Sequence, residues 1–217
     1  MADYSKPDHW SVKAQKEGYP ARSVYKFMEM DEKFNLLKTS RSLKVLDLGA
    51  APGSWSLYML RKLPGRTGFK SHADHNSENK LSLVSVDLSP LSRHFDQGLF
   101  DIPEFLFIQG DFTQSNIREA ILSHGPYNLL VSDAAPATTG NRSVDTLRSL
   151  ELAETALDYA NIALARGGNL VIKVFQGGDT GNLLRDMRLF FQNAKSHKPK
   201  ACRAESFETY FLGLGKK

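Results

Sequence analysis

Short apolar segments recur along the chain and alternate with segments whose apolar residues are spaced as on one face of a helix. Strands are predicted for five of the apolar segments, at residues 43–49, 81–87, 104–111, 127–133 and 169–175. Helices are predicted between them, at about 53–62, 114–123, 145–165 and 181–193. This alternation indicates an α/β fold, a mostly parallel sheet with helices on both faces.

Two further segments extend this pattern. Residues 206–215, SFETYFLGLG, predict a last strand at the edge of the sheet with antiparallel orientation. Ahead of the first strand, ARSVYKFMEMDEKFNLL places Val24, Phe27 and Phe34 at helical spacing, which predicts an amphipathic helix. On this pattern alone Lys26 belongs to the opposite face, exposed to solvent.

The whole chain, residues 1–217, is predicted to form a single domain because neither a repeat nor a linker divides it. Residues 64–81 are polar and aperiodic and predict an exposed loop insertion. His72, Asp74 and His75 could in principle ligate a metal there. Polar residues in such loops are usually only solvated, so no metal site is expected.

Composition narrows the class of protein. Hydrophobic residues make up 41% and charged residues 24% of the chain, as in ordinary globular proteins. No segment approaches the roughly 18 to 20 apolar residues of a membrane span, and the first residues lack the apolar core of a signal peptide. We therefore expect a cytoplasmic protein without a membrane partner.

Cys202 is the single cysteine, which excludes an internal disulfide and a four-cysteine zinc site.

The charge is modestly basic, with a formal net charge of +4. The basic residues cluster near both ends of the chain, at Lys13, Lys16, Arg22, Lys26 and Lys33, and at Lys195, Lys198, Lys200 and Arg203. Such clusters are typical of a surface that binds a polyanion.

Four predicted strands carry an acid at or near the carboxyl end: Asp47, Asp87, Asp111 and Asp133. Ligands of open α/β sheets bind outside these ends, so the four carboxylates are predicted to converge on one crevice. The first strand runs into DLGAAPGSW, a glycine loop that suits close approach of a ligand. The chain contains neither G-x-G-x-x-G nor a phosphate-binding loop, and an acidic rim favours a sulfonium or ammonium ligand over a pyrophosphate.

Lys173 interrupts the apolar segment NLVIKVFQGGD. A strand of this composition is buried on both faces, where a charge is costly. The lysine therefore either has a function or lies on an edge strand and extends its amine to solvent.

Five segments together, VLDLGAAPGSW, VSDAAP, LVIKVFQGGD, YPARSVYKFMEMDEKF and SFETYFLG, resemble the FtsJ/RrmJ family of S-adenosylmethionine-dependent ribose 2′-O-methyltransferases. The resemblance runs from about residue 11 to the end, with the polar loop as its main departure. It implies a Rossmann-like methyltransferase fold with a seven-stranded sheet and S-adenosylmethionine as cofactor. The implied cofactor-binding residues are Gly49, Pro52, Gly53, Ser54, Trp55, Asp87, Leu88, Asp111, Phe112 and Asp133.

The resemblance also implies a catalytic tetrad of Lys26, Asp133, Lys173 and Glu208, which overrides the solvated interpretation of Lys26. Lys173 is expected to be the general base, Asp133 its orienting partner, and Lys26 and Glu208 the groups that position the substrate. If the carboxylates keep Lys173 charged, it instead orients the hydroxyl and stabilises its developing negative charge.

The implied substrate is a uridine in the A-loop of large-subunit (23S) rRNA, presented within a ribosomal particle. Residues 1–40 are then a basic helical RNA-binding extension, which forms a cationic track with the basic residues near the C-terminus. Two alternatives stay open: methylation of the tRNA anticodon loop, and a non-catalytic RNA-binding assembly factor. A nicotinamide oxidoreductase is disfavoured because the dinucleotide glycine pattern is absent.

Overall fold

The computed structural model describes residues 8–37, 42–62, 81–177, 180–203 and 206–217. The predicted loop at 64–81, with His72, Asp74 and His75, lies outside these ranges except for Leu81. The strands of the described residues are β1 (Leu43–Leu48), β2 (Leu81–Asp87), β3 (Phe105–Gln109), β4 (Tyr127–Ser132), β5 (Leu164–Phe175), β6 (Phe191–His197) and β7 (Glu208–Lys216). The helices are α1 (His9–Lys16), α2 (Val24–Phe34), α3 (Ser54–Lys62), α4 (Ser115–Ser123), α5 (Arg142–Ala163) and α6 (Thr180–Phe190), with a short 3₁₀ helix at Leu99–Asp101.

These strands form one sheet in the order β3-β2-β1-β4-β5-β7-β6. Neighbours from β3 to β5 are parallel, whereas β7 is antiparallel to both β5 and β6. The mostly parallel, seven-stranded sheet is therefore confirmed. The chain adds β2 and β3 on one side of β1 and β4 on the other, so the topological switch point, where α/β sheets bind ligands, lies between β1 and β4.

Helices cover both faces, as predicted. On one face, residues of α2 and α3 such as Phe27 and Trp55 pack with Val45 and Val171 from the sheet. The other face holds the neighbouring sheet positions, such as Leu46 and Ile172, against α4, α5 and α6. The opposite directions of successive strand residues explain why the central strands are apolar throughout.

The far edge of the sheet differs from the prediction. The predicted helix over 181–193 is wrong beyond Phe190, because the chain continues there as β6. The last strand is antiparallel as predicted, but the edge position is wrong: β7 lies between β5 and β6. Most residues of β6 are exposed or only partly buried, so this strand carries no apolar alternation by which it could be recognised.

Across the described ranges, no helix combines the length and apolar composition that crossing a membrane requires.

Candidate active site

A cavity of about 640 Å³ opens at the carboxyl ends of β1 to β4. Its lining contains six of the predicted cofactor residues: Gly49, Asp87, Leu88, Asp111, Phe112 and Asp133. Residues from α5 close the other side, and sequence reasoning missed them: Arg148, Glu151 and Leu152. The crevice therefore lies at the topological switch point.

Local hydrogen bonds hold two carboxylates at the rim of this cavity. Asp87 accepts from the backbone N–H of Ala51 at 2.9 Å and from that of Ser89 at 2.8 Å. Asp111 accepts from the N–H and the hydroxyl of Thr113, at 2.9 and 2.7 Å. Asp87 thus connects the glycine loop after β1 to the end of β2.

The glycine loop passes very close to the chain that follows β4. Gly49 has a φ of +73°. A Cβ atom there would lie 2.5 Å from the Cα atom of Ala134, which is backbone and cannot move aside as a side chain can. Gly49 is therefore required both by its conformation and by this approach.

Gly49→Ala is expected to weaken binding of the predicted cofactor, S-adenosylmethionine, at least about 10-fold and to lower the free energy of unfolding by more than about 1 kcal/mol. The reason is that the clash pushes the loop and Ala134 apart. Gly140→Ala is the matched control, because Gly140 has a φ of +82° but nothing within 4 Å of an added Cβ. Calorimetry and urea unfolding of the two variants measure the effects, and equal losses in both would mean that backbone strain alone is responsible.

Four other predicted cofactor residues of the loop are not part of the cavity lining: Pro52, Gly53, Ser54 and Trp55. A Cβ atom on Gly53 would lie 2.9 Å from Cζ of Phe100. Ser54 Oγ accepts from the N–H of Ala21 at 2.9 Å, and Trp55 Nε1 donates to the carbonyl of Ser23 at 2.8 Å. These bonds fasten the start of α3 to the segment ahead of α2. The roles of Pro52, Gly53, Ser54 and Trp55 in cofactor binding stay predictions.

Asp47 does not line the cavity, so the predicted convergence of four acids is wrong for this residue. Its carboxylate is fully buried and accepts from Ser56 Oγ at 2.7 Å, and Ser56 also contacts Ser85 Oγ at 3.0 Å. Among the described residues, Asp47 Oδ1 has no hydrogen-bond partner. Burial, together with the charges of Asp133 and Asp87, raises the pKa of Asp47 to about 7, against the lowering effect of the Ser56 hydrogen bond.

Asp47→Asn is expected to remove a pH-dependent loss of stability. The folded state raises the pKa of Asp47 from 3.8 to about 7, so between these two pH values the folded protein binds the proton more tightly than the unfolded protein does. The free energy of unfolding therefore falls as pH rises from 3.8 to about 7. From pH 5 to pH 8 the variant should gain about 2 to 3 kcal/mol in free energy of unfolding relative to wild type. Urea unfolding at both pH values measures this, and parallel pH curves for the two proteins would contradict it.

Lys173 lies in the interior of the sheet and contacts Asp133. Its Nζ is 3.0 Å from Asp133 Oδ1 and donates to the Asp133 carbonyl at 2.5 Å. Strand β5 lies between β4 and β7, and Lys173 is only 9% exposed. The alternative of an edge-strand lysine that extends to solvent is therefore wrong.

Sequence reasoning missed Tyr210, whose hydroxyl group donates a hydrogen bond to Asp133 Oδ1 at 2.7 Å. Tyr210 is fully buried and directly opposite Lys173 in the pairing of β5 with β7. The signal was present, because Tyr210 follows Glu208 by two residues and so shares its face of the strand.

Lys26 and Glu208 form a second pair, with Nζ and Oε1 2.7 Å apart. Lys26 is 9% exposed, so the solvated position that the helical pattern predicted is wrong. The polar side of α2 faces the β6–β7 side of the sheet. Glu29 contacts His197 of β6 at 2.9 Å, and Lys26 contacts Glu208 of β7. Partners on distant strands cannot be read from the periodicity of one helix.

The charges of these residues depend on one another. Burial raises the pKa of Asp133. The ammonium groups of Lys173 and Lys26 and the Tyr210 hydrogen bond lower it by more than burial raises it, so that the net shift is downward. Burial lowers the pKa of Lys26, and the carboxylates of Asp133 and Glu208 more than reverse this. Asp133 is thus an anion and Lys26 a cation at neutral pH.

A second cavity, of about 540 Å³, adjoins the Lys26–Glu208 pair. Its lining includes both members of the pair together with Arg22, Thr138, Arg203 and Phe207. Asp133 lines the first cavity, and its charge interacts with Lys26 in the second. The four predicted catalytic residues are therefore brought together between two cavities.

The first cavity suits a ligand with a cationic centre, hydroxyl groups and a flat apolar part. Carboxylates supply acceptors, while Leu88, 69% exposed, and Phe112 supply apolar surface at the rim. Within the described ranges, no group of three or more His, Cys, Asp or Glu side chains is arranged to hold a metal ion.

The fold and this site define a Rossmann-like methyltransferase. A crystal structure of a Plasmodium falciparum protein assigned as a ribosomal RNA methyltransferase aligns with a TM-score of 0.69 and 26% identity, over 91% of this chain and 98% of that one. Human methyltransferase-like protein 13 in complex with SAH aligns with a TM-score of 0.58 over 88% of this chain and 82% of that one; at 11% identity it supports the fold alone.

The sequence model of the FtsJ-like methyltransferases matches residues 19–216, and the chain belongs to this family. Ribosomal RNA large subunit methyltransferase E of Treponema denticola is 49% identical over 211 residues, which cover 97% of this chain and 96% of the relative. The protein of the same name from Borrelia garinii is 41% identical over 97% of both chains. The resemblance drawn from the five sequence segments is thereby confirmed.

Proposed function

We propose that this methyltransferase transfers a methyl group from S-adenosylmethionine to a ribose 2′-oxygen of large-subunit rRNA. One observation carries the proposal: the buried Lys173 amine contacts Asp133 at the cofactor cavity, and the Lys26–Glu208 pair lines the cavity beside it. A donor in one cavity and an RNA nucleotide in the other would meet at these residues.

The residues of the first cavity fit this cofactor. Asp87 would accept from the ribose hydroxyls, with Leu88 beside it, and Asp111 and Phe112 would hold the adenine. The loop of Gly49, Pro52, Gly53, Ser54 and Trp55 would hold the methionine part, whose cationic centre the Asp133 carboxylate attracts. When bound, S-adenosylmethionine supplies a sulfonium methyl group that is already activated for transfer.

Lys173 is the proposed general base. Lys173 can act as a base only as a neutral amine, after its ammonium form has released a proton to solvent. The neutral amine has two N–H donors, and the contacts to the carbonyl and the Oδ1 atom of Asp133 can use both. Its lone pair is then free to accept the proton of the ribose hydroxyl, which is a poor nucleophile until it loses that proton. Asp133 orients the amine, and Tyr210 fixes the Asp133 carboxylate by its hydrogen bond.

Lys26 and Glu208 are proposed to position the nucleotide. The ion pair holds both side chains at the wall of the second cavity, where Lys26 supplies a cation and Glu208 an acceptor for sugar hydroxyls. Neither group has to exchange a proton for this role.

The rRNA substrate is supported by the names of relatives that match over almost the entire chain, which are large-subunit rRNA methyltransferases. We propose a uridine of the A-loop, within the large ribosomal particle, as the target, and hence a cytoplasmic enzyme. Residues 1–217 would act as one domain in which the basic residues of 1–40 contact RNA phosphates.

The test is incorporation of labelled methyl groups from S-adenosylmethionine into purified large ribosomal subunits that lack the modification, compared with bulk tRNA. Mapping of ribose methylation should locate the product at one uridine of the large-subunit rRNA. Labelling of tRNA alone would contradict the rRNA assignment and indicate that the substrate is the tRNA anticodon loop. Absence of transfer to any RNA, with intact RNA binding, would favour an assembly factor.

A further inference from the structure

Two arginines of the second cavity share one carboxylate. Asp8 Oδ2 contacts Nη1 of Arg22 and lies 3.5 Å from Nε of Arg203. Both arginines line the cavity that contains the Lys26–Glu208 pair. Outside the lining, the guanidinium of Arg142 lies 5.2 Å over the ring of Phe207, which is a residue of the cavity wall. The cavity wall itself thus presents two arginine side chains that converge on one carboxylate.

The chemistry of this arrangement suits an oxyanion, either a carboxylate or a phosphate group. Guanidinium groups bind carboxylate and phosphate oxygens with the same geometry, so a carboxylate can occupy a phosphate position. A target ribose held at Lys26 and Glu208 carries a phosphodiester group on each side of it. One of these groups would reach arginines in the wall of the same cavity.

We propose that Arg22 and Arg203 bind a phosphodiester group of the RNA next to the target ribose, and that Asp8 occupies this site until RNA displaces it. The inference rests on the proposed function, since it assumes a ribonucleotide in the second cavity. It assigns the start of α1 a regulatory contact: an internal carboxylate competes with the substrate for the two arginines.

Helix α1 has other attachments that do not involve this contact. Ala14 is fully buried in the core, and the rings of Trp10 and Tyr25 lie 5.0 Å apart. Tyr25 also donates to Glu17 at 2.9 Å. Because Asp8 and Arg203 are partly exposed, their ion pair contributes little to stability. Arg22 is more buried, but its Nη2 also donates to the carbonyl of Ala201 at 2.5 Å and keeps this contact when Asp8 leaves. Displacement of Asp8 therefore need not detach the helix.

Asp8→Asn separates the two roles of this residue. Asp8 Oδ1 caps α1 by accepting from the N–H of Ser11 at 2.9 Å, while Oδ2 contacts Arg22. Asparagine retains the capping oxygen and removes the negative charge, and Asp8→Ser is a second capping variant that is too short to reach the arginines. Glu17→Gln is the control, because it makes the same change in charge at the C-cap of α1, away from the cavity, and keeps an oxygen that can accept from Tyr25.

The measurement is the affinity of the full chain for a fluorescent single-stranded RNA over a range of KCl concentrations. Asp8→Asn and Asp8→Ser should bind about 3- to 10-fold more tightly than wild type, while Glu17→Gln changes affinity less than about 2-fold. Arg22→Gln and Arg203→Gln should bind more weakly and should each reduce the slope of log affinity against log salt, by up to about one unit.

Unchanged or weaker RNA binding by both Asp8 variants would overturn the proposal and leave Asp8 as a structural contact of α1. An unaltered salt slope in the arginine variants would also overturn it. Failure of the proposed function is a separate result, because it appears as absence of methyl transfer by wild-type protein, whatever the RNA affinities of the variants.

Discussion

Lys173→Ala is expected to lower the single-turnover rate of methyl transfer to large-subunit rRNA by roughly 100- to 10,000-fold. The variant lacks the amine that contacts Asp133 between the two cavities, so no side chain remains to accept the proton of the ribose hydroxyl. Cofactor affinity should change less than about 3-fold, because the residues proposed to hold the cofactor in the first cavity remain.

Lys44→Ala is the control for this prediction, since Lys44 is a partly buried lysine at the amino end of β1, away from the cavity at the carboxyl ends of the strands. It should leave the single-turnover rate close to that of wild type. Full function of Lys173→Ala in ribosome assembly, together with loss of transfer, would favour a role for the protein as an assembly factor.

Asp133→Ala is expected to impair both stability and activity. Its removal leaves the Lys26 ammonium and the Lys173 amine buried without this carboxylate, and loss of one partner from such a group costs about 3 to 5 kcal/mol. Urea unfolding near pH 7 measures the loss. Asp133→Asn retains the shape of the side chain and should still lose transfer activity, because it neither orients Lys173 by charge nor attracts the cationic donor.

The effect of Asp133 on stability should depend on pH in a defined direction. The folded state lowers the pKa of this carboxyl, so its stabilising contribution is complete above the unfolded value, about 3.9, and is lost as pH falls through the folded value. The difference in unfolding free energy between wild type and Asp133→Asn should therefore be largest near neutral pH and shrink below about pH 4. A difference that stays constant down to pH 3 would contradict the downward shift.

The sequence predicted the central part of the fold well, because buried parallel strands are marked by dense apolar segments. Strand β6 was missed for the opposite reason: it pairs on one side only and is mostly exposed. The prediction that β7 lies at the edge of the sheet was wrong for the same reason, because β6, which pairs with its outer side, was not recognised as a strand.

The candidate site, like the fold, could be predicted from the sequence only in part. Asp87 and Asp111 follow directly from their positions at strand ends, whereas Asp47 ends a strand too but turns into the core towards Ser56. The burial of Lys26 depends on a partner more than 180 residues away, so only the family resemblance could identify it. Tyr210 and the second cavity depend on how β5, β7 and α2 pack, which no local pattern records.

The central claim is that the Lys173 amine accepts the proton of the ribose hydroxyl. The most direct measurement is the single-turnover rate of methyl transfer by Lys173→Arg across pH 6 to 9, because arginine retains the positive charge but cannot accept a proton in this range. The account predicts a rate at least about 100-fold below wild type at every pH. A rate close to that of wild type would show that Lys173 acts through its charge alone, and the assignment as general base would be wrong.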